Sequence, residues 1–97
     1  MKCHISDRIV KDISVSARKH DIQEVILFGS RARGTNTERS DIDIAVSGGD
    51  FNSFYWDIKE NVHSLLIFDI IDLDSGVSEE LKKELERDGV VIYEKTR

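Results

Sequence analysis

The chain has no proline and a single cysteine in 97 residues, and it has no basic excess: 14 lysines and arginines stand against 19 acids, a formal net charge of −5. One cysteine, Cys3, excludes an intrachain disulfide and a cysteine-based zinc site, and it fits a reducing compartment. The acidic balance argues against direct nucleic-acid binding and against an anionic membrane surface, because no surplus cation is available to neutralise phosphates. No apolar run approaches the roughly 20 residues that span a bilayer. The opening Met1-Lys2-Cys3-His4 lacks the apolar region of a secretory signal, so a cytoplasmic protein is expected. Without repeats or low-complexity linkers, residues 1–97 are read as one domain with a small core and little room for a separate substrate-binding lobe.

What is present alternates between two periods. Ile5, Ile9, Ile13 and Ala17 recur every four residues, which predicts a helix starting near Ser6-Asp7 and ending near His20-Asp21. Val25-Ile26-Leu27-Phe28 is a first strand, Ser30 opens a short helix, residues 35–40 form a polar loop, and residues 41–46 make a second strand closed by Ser47-Gly48-Gly49. A helix over residues 51–65 would bury Phe54, Ile58, Val62 and Leu65. The run Leu66-Ile67-Phe68-Asp69-Ile70-Ile71-Asp72-Leu73 reads as a third strand. Ser78 looks like an N-cap followed by Glu79 and Glu80, Leu81 and Leu85 give that helix its buried side, Gly89 ends it as a C′ residue, and residues 90–93 form a last strand. The expected fold is α/β: a small mixed sheet of three to four strands packed with helices.

Chemistry concentrates in residues 25–46. Side chains alternate along a strand, so Asp41 and Asp43 share one face while Ile42, Ile44 and Val46 share the other. Two neighbouring carboxylates repel unless a cation sits with them, and a hard divalent metal prefers oxygen ligands. Gly29 permits close approach of backbone to a ligand, and Ser30 offers a hydroxyl and an N–H at a strand-to-helix turn, a place suited to phosphate oxygens. Three of the seven arginines, Arg31, Arg33 and Arg39, fall within nine residues of an otherwise acidic chain. A third acid, Asp69, sits inside an apolar run with no basic neighbour in sequence. It is expected to be buried and therefore to need a partner or a metal.

Gly29-Ser30, ten residues, then Asp41-Ile42-Asp43-Ile44, with Asp69 on a later strand, resembles the signature of the DNA-polymerase-β-like nucleotidyltransferase superfamily. The stretches GSRARG, SDIDIAV, FDIIDLD and GVVIYE are similar to the minimal nucleotidyltransferases, the MntA-type antitoxins, across nearly the whole chain. The resemblance implies that Gly29 and Ser30 hold the β- and γ-phosphates of ATP. It implies that Asp41, Asp43 and Asp69 are catalytic residues ligating Mg²⁺, two ions in all, with Asp69 also the base. Arg33, and after it Arg31, would neutralise phosphate charge. It further implies an adenylyltransferase acting on a hydroxyl, a tyrosine in the studied type, of a HEPN-family partner that is often an RNase toxin.

Other classes remain open on the sequence alone: a module that neutralises its partner by contact, or a transferase acting on a small molecule. Arg39 and Ser40 are read as loop residues, Asp72 and Asp74 as structural or solvated. His4, His20 and His63 are taken as surface or capping residues, and Cys3 as incidental. Phe54-Tyr55-Trp56 cannot all face one core, so at least one ring is expected at the surface.

Overall fold

The computed structural model describes residues 4–62 and 65–96, so Cys3 and His63 lie outside the described residues. The chain begins with helix α1, Asp7–Lys19. Ser6 accepts the Ile9 N–H at 3.2 Å, and Asp7 at the start and Arg18 and Lys19 at the end suit the helix dipole. Its C-terminus closes with the Ile22 N–H donating to the Ala17 carbonyl and the Asp21 N–H to the Arg18 carbonyl, with Asp21 left-handed at φ 60°. This paired closure, completed by the burial of Ile22, turns the chain straight into strand β1, Glu24–Phe28.

Next come the one-turn helix α2, Ser30–Arg33, strand β2, Ile42–Ser47, and helix α3, Phe51–Asn61. Strand β3, Phe68–Asp72, helix α4, Glu79–Asp88, and strand β4, Val90–Glu94, complete the fold. The four strands form one mixed sheet in the order β3-β2-β1-β4, the upper of the two expected counts. β1 runs antiparallel to both β2 and β4, whereas β2 and β3 are parallel.

Val25, Leu27, Ile42, Ile44 and Val46 on one face of the sheet pack with Ile13 and Ala17 of α1 and Phe54 and Ile58 of α3 to make the core. The opposite face carries Ile26, Asp43 and Asp69. There α4 crosses beside Ile26, close enough that a side chain at Gly89 would strike both Ile26 and the Leu85 carbonyl. Gly89 is therefore small for space. It ends α4 as the C-cap itself rather than as the C′ residue expected, with an ordinary φ of −62°. Leu81 and Leu85 are only half-buried on this thinner side.

Two expected boundaries move. α3 stops at Asn61, with Val62 already extended, and Leu65 is fully exposed rather than part of the buried stripe. Lys59 donates to the Phe68 carbonyl, which ties the last turn of α3 to the start of β3. β3 starts at Phe68 instead of Leu66 and ends in a 3₁₀ turn, Leu73–Ser75, capped by Asp72. Asp74 accepts the Gly48 N–H at 2.7 Å, which ties this turn to the end of β2.

Candidate active site

Register brings the chemistry together. In the parallel pair, Asp43 of β2 lies directly beside Asp69 of β3, and Ile42 beside Phe68. Asp41 stands one residue before β2, on the same face as Asp43. In the antiparallel pair, Phe28 of β1 lies opposite Asp43, so the next residue, Gly29, falls against the Asp43 carboxylate. A methyl group at Gly29 would overlap Asp43 Oδ2, and the backbone there has φ 76°, which side-chain-bearing residues rarely adopt. Conformation requires glycine at this position, and any side chain there would also have to push the Asp43 carboxylate aside.

Ser30 opens α2, whose turn is secured by the Ala32 and Arg33 N–H groups, each donating to the Gly29 carbonyl at 3.1 Å. A helix this short has little macrodipole. What it offers an anion is local: the first backbone donors of the turn and the Ser30 hydroxyl.

Burial raises the Asp43 carboxyl, and the charges of Asp69, Asp41 and Glu84 raise it further, up to about 6 against the opposing pull of Arg33. Asp43 is half-buried, while Asp41 and Asp69 are exposed. The exposure of Asp69 corrects the expectation of a buried carboxylate. β3 is an edge strand, and Asp69 points away from the core that takes Phe68 and Ile70. What strains this patch is the partial burial of the Asp43 carboxyl, with the like charges of its neighbours added to it.

The two arginines separate. Arg33 is partly exposed and meets Glu84 at 3.3 Å, a surface pair weak enough to yield to a phosphate. Arg31 is only 6% exposed and is spent on backbone. Its Nε donates to the Ser40 carbonyl at 2.9 Å, Nη1 to His4 at 2.7 Å, and Nη2 to Thr37 and Glu38 at 3.3 and 3.2 Å. The phosphate role that the resemblance implied for Arg31 would rest on the one guanidinium N–H that these four bonds leave. The side chain instead braces residues 37–40, which lead into Asp41. Glu84 is the residue sequence reasoning missed. It lies 51 positions from Arg33, and only the packing of α4 onto this face brings the two together.

Three carboxylates share one open face of the sheet. Among the described residues, however, no three acidic or histidine side chains stand close enough to make a finished metal cage. Mg²⁺ is usually held by one or two carboxylates together with waters and substrate phosphates. An acid-lined patch next to a phosphate turn fits that mode of binding, with Asp41, Asp43 and Asp69 as the available ligands.

Carboxylates of adjacent strands face a glycine-serine turn, and the chain belongs to the polymerase β nucleotidyltransferase family, whose domain matches residues 11–97. It is a nucleotidyltransferase with the fold of that family. Among its relatives is a Methanocaldococcus jannaschii protein named "Putative protein adenylyltransferase MJ1379", 34% identical over 91 residues that cover 88% of this chain and 85% of the relative. A toxin–antitoxin crystal structure with AMP-PNP matches 90% of this chain and 74% of its own at 28% identity and a TM-score of 0.69. A mutant of the MntA–HpeT toxin–antitoxin pair matches in fold, with 24% identity, a TM-score of 0.67 and the same coverage of 90% and 74%.

Proposed function

We propose that this chain is the antitoxin of a toxin–antitoxin pair and acts as a Mg²⁺-dependent adenylyltransferase on a hydroxyl of its toxin, a tyrosine of a HEPN-type partner. The observation that carries the reading is the register placing Asp43 beside Asp69 and against Gly29. That register sets a concentrated negative charge next to a phosphate-holding turn. The relatives support the rest: one is named as a protein adenylyltransferase, and another was crystallised as a toxin–antitoxin with an ATP analogue.

In this reading the Gly29-Ser30 turn holds the β- and γ-phosphates, and Arg33 exchanges Glu84 for phosphate oxygens. The acceptor hydroxyl oxygen attacks the α-phosphorus, its proton passes to Asp69, and the bond from the α-phosphorus to the bridging oxygen breaks as pyrophosphate leaves. Mg²⁺, two ions held by Asp41, Asp43 and Asp69, supplies charge neutralisation across the triphosphate when bound. The protein's own share is positioning and electrostatics, and an acceptor that is itself a folded protein brings its own surface.

The test is the intact mass of the protein that co-purifies with this chain from its native host, wild type against Asp41→Asn/Asp43→Asn. Nucleotide-monophosphate adducts on the partner with wild type alone are expected. An unmodified partner in both preparations would overturn catalysis in favour of neutralisation by contact.

A further inference from the structure

Asp43 and Asp69 are fixed by strand pairing, but Asp41 is not. β2 begins at Ile42, whose N–H donates to the Ile67 carbonyl at 2.9 Å. On its other side the backbone of Asp41 is placed by the polar loop of residues 35–40. A local turn shapes that loop: the Ser40 N–H donates to the Thr37 carbonyl at 3.2 Å, and the Thr37 N–H to the Ser40 hydroxyl at 2.9 Å. Against this turn lies the buried Arg31, donating to the carbonyls of Thr37, Glu38 and Ser40. Its fourth bond, from Nη1 to the His4 carbonyl, is answered by the His4 N–H donating to the Arg31 carbonyl at 3.1 Å. The segment before α1 thus grips residue 31 by side chain and backbone together. None of the ion pairs among the described residues includes Arg31. A buried cation needs compensation, and here carbonyl dipoles supply it, three of the four from the loop that delivers Asp41.

We propose that Arg31 is a positioning residue for Asp41: its guanidinium fixes residues 37–40 so that the Asp41 carboxylate stands ready on the face of Asp43 and Asp69 when a divalent cation binds. This role rests on the nucleotidyl-transfer reading above and differs from the phosphate contact that the resemblance implied. Nε serves Ser40 while Nη2 serves Thr37 and Glu38, a convergence of three carbonyls that suits a planar fork and not a point charge. A lysine here would release some of these carbonyls and loosen the turn at the residue before Asp41. A carboxylate that must be ordered as the cation binds holds it less tightly than one already in place. Groups that orient a metal ligand without touching the metal govern affinity by about 10–100-fold. Asp43 and Asp69, held by the sheet, do not depend on Arg31 in this way.

The test uses the full chain and compares wild type, Arg31→Lys and Ser40→Ala. Mn²⁺ alone is the first probe: paramagnetic broadening of the Asp41, Asp43 and Asp69 amide signals reports where the ion sits and its apparent affinity. AMP-PNP at saturating Mg²⁺ is the second, and urea midpoints separate loss of fold from loss of placement. For Arg31→Lys, Mn²⁺ affinity per folded molecule is expected to fall about tenfold, with faster hydrogen exchange at the Ser40 amide and AMP-PNP affinity unchanged. Ser40→Ala removes the hydroxyl that accepts the Thr37 N–H and leaves Arg31 in place. It is expected to weaken Mn²⁺ binding in the same direction by less, and it carries the test if the lysine variant does not fold. A loss of AMP-PNP affinity at saturating Mg²⁺ in Arg31→Lys would overturn the proposal and return Arg31 to the phosphates. Mn²⁺ affinity unchanged in both variants, or no broadening at these acids in wild type, would overturn it as well. Mn²⁺ binding that weakens as expected, in a wild-type chain that binds no AMP-PNP, would instead overturn the nucleotide reading and leave the positioning role standing.

Discussion

Burial and the neighbouring Asp69, Asp41 and Glu84 hold the Asp43 carboxyl at about 6, well above the 3.8 it has when free. Unfolding releases that constraint, so between about pH 4 and 6 the folded chain binds the extra proton. The contribution of this group to stability is therefore fully present below pH 4, is lost as the pH rises through 6, and stays absent above. Solvent around this half-buried group screens the effect to an expected loss on the order of 1 kcal/mol. Asp43→Asn should raise the urea midpoint at pH 7.5 and flatten this part of the pH profile, while transfer is lost. A variant no more stable than wild type at pH 7.5 would show that the carboxylate is not strained. Asp41 and Asp43 were legible as a shared-face pair from strand alternation alone. The fate of Arg31 was not, because a guanidinium satisfied by four backbone carbonyls of other segments has the same local sequence as one facing solvent.

At the scale of elements, α1 and α3 are joined by a polar clasp outside the site. Asp57 accepts the Ser16 hydroxyl at 2.6 Å and the Asn61 amide at 2.7 Å, and His20 Nε2 lies 3.0 Å away. These bonds, that from Ser16 foremost, hold the Asp57 carboxyl down to about 2. The sign is opposite to that of Asp43: this contribution is complete above pH 4 and is lost as the pH falls toward 2. Asp57→Ala leaves the buried Ser16 hydroxyl unpaired and is expected to lower unfolding stability by about 2 kcal/mol at neutral pH, by urea titration, and by less near pH 2. Transfer per folded molecule should be unchanged, since the clasp lies against the helices on the other face of the sheet. The helices and strands themselves followed from periodicity and caps, Ser6 and Ser78 most plainly. The end of α3 did not, because Lys59 ties the chain back to Phe68, a contact no window of local sequence contains.

For the molecule as a whole, the acidic face depends on β1 lying between β2 and β4. β4 pairs with β1 and contributes Ile92 to the core, and the Lys95 N–H donates to the Gln23 carbonyl at 2.8 Å. A chain ending at Gly89 loses that apolar surface and leaves β1, which carries Gly29 at its end, as an open edge. Such a truncation is expected to abolish the cooperative thermal transition by circular dichroism, and transfer with it. A retained sharp transition would mean that three strands are enough. At this scale also, α4 supplies Glu84 to Arg33 across 51 positions of sequence, completing the charge balance of the site.

The sequence by itself determined the alternation of elements, the α/β class, the family and the identity of the three acids. Each of these is written in local spacing: apolar period, cap residues, and a glycine-serine turn ten residues ahead of an alternating acid pair. Tertiary structure alone decided what depends on which strand is a neighbour and which is an edge. It put Asp69 in solvent rather than in the core, gave Arg31 to the backbone and Arg33 to Glu84, and left Leu65 and Ile67 bare beside Asp41. The physical reason is that burial and charge pairing are properties of the faces two segments share, and a chain read one residue at a time does not contain them.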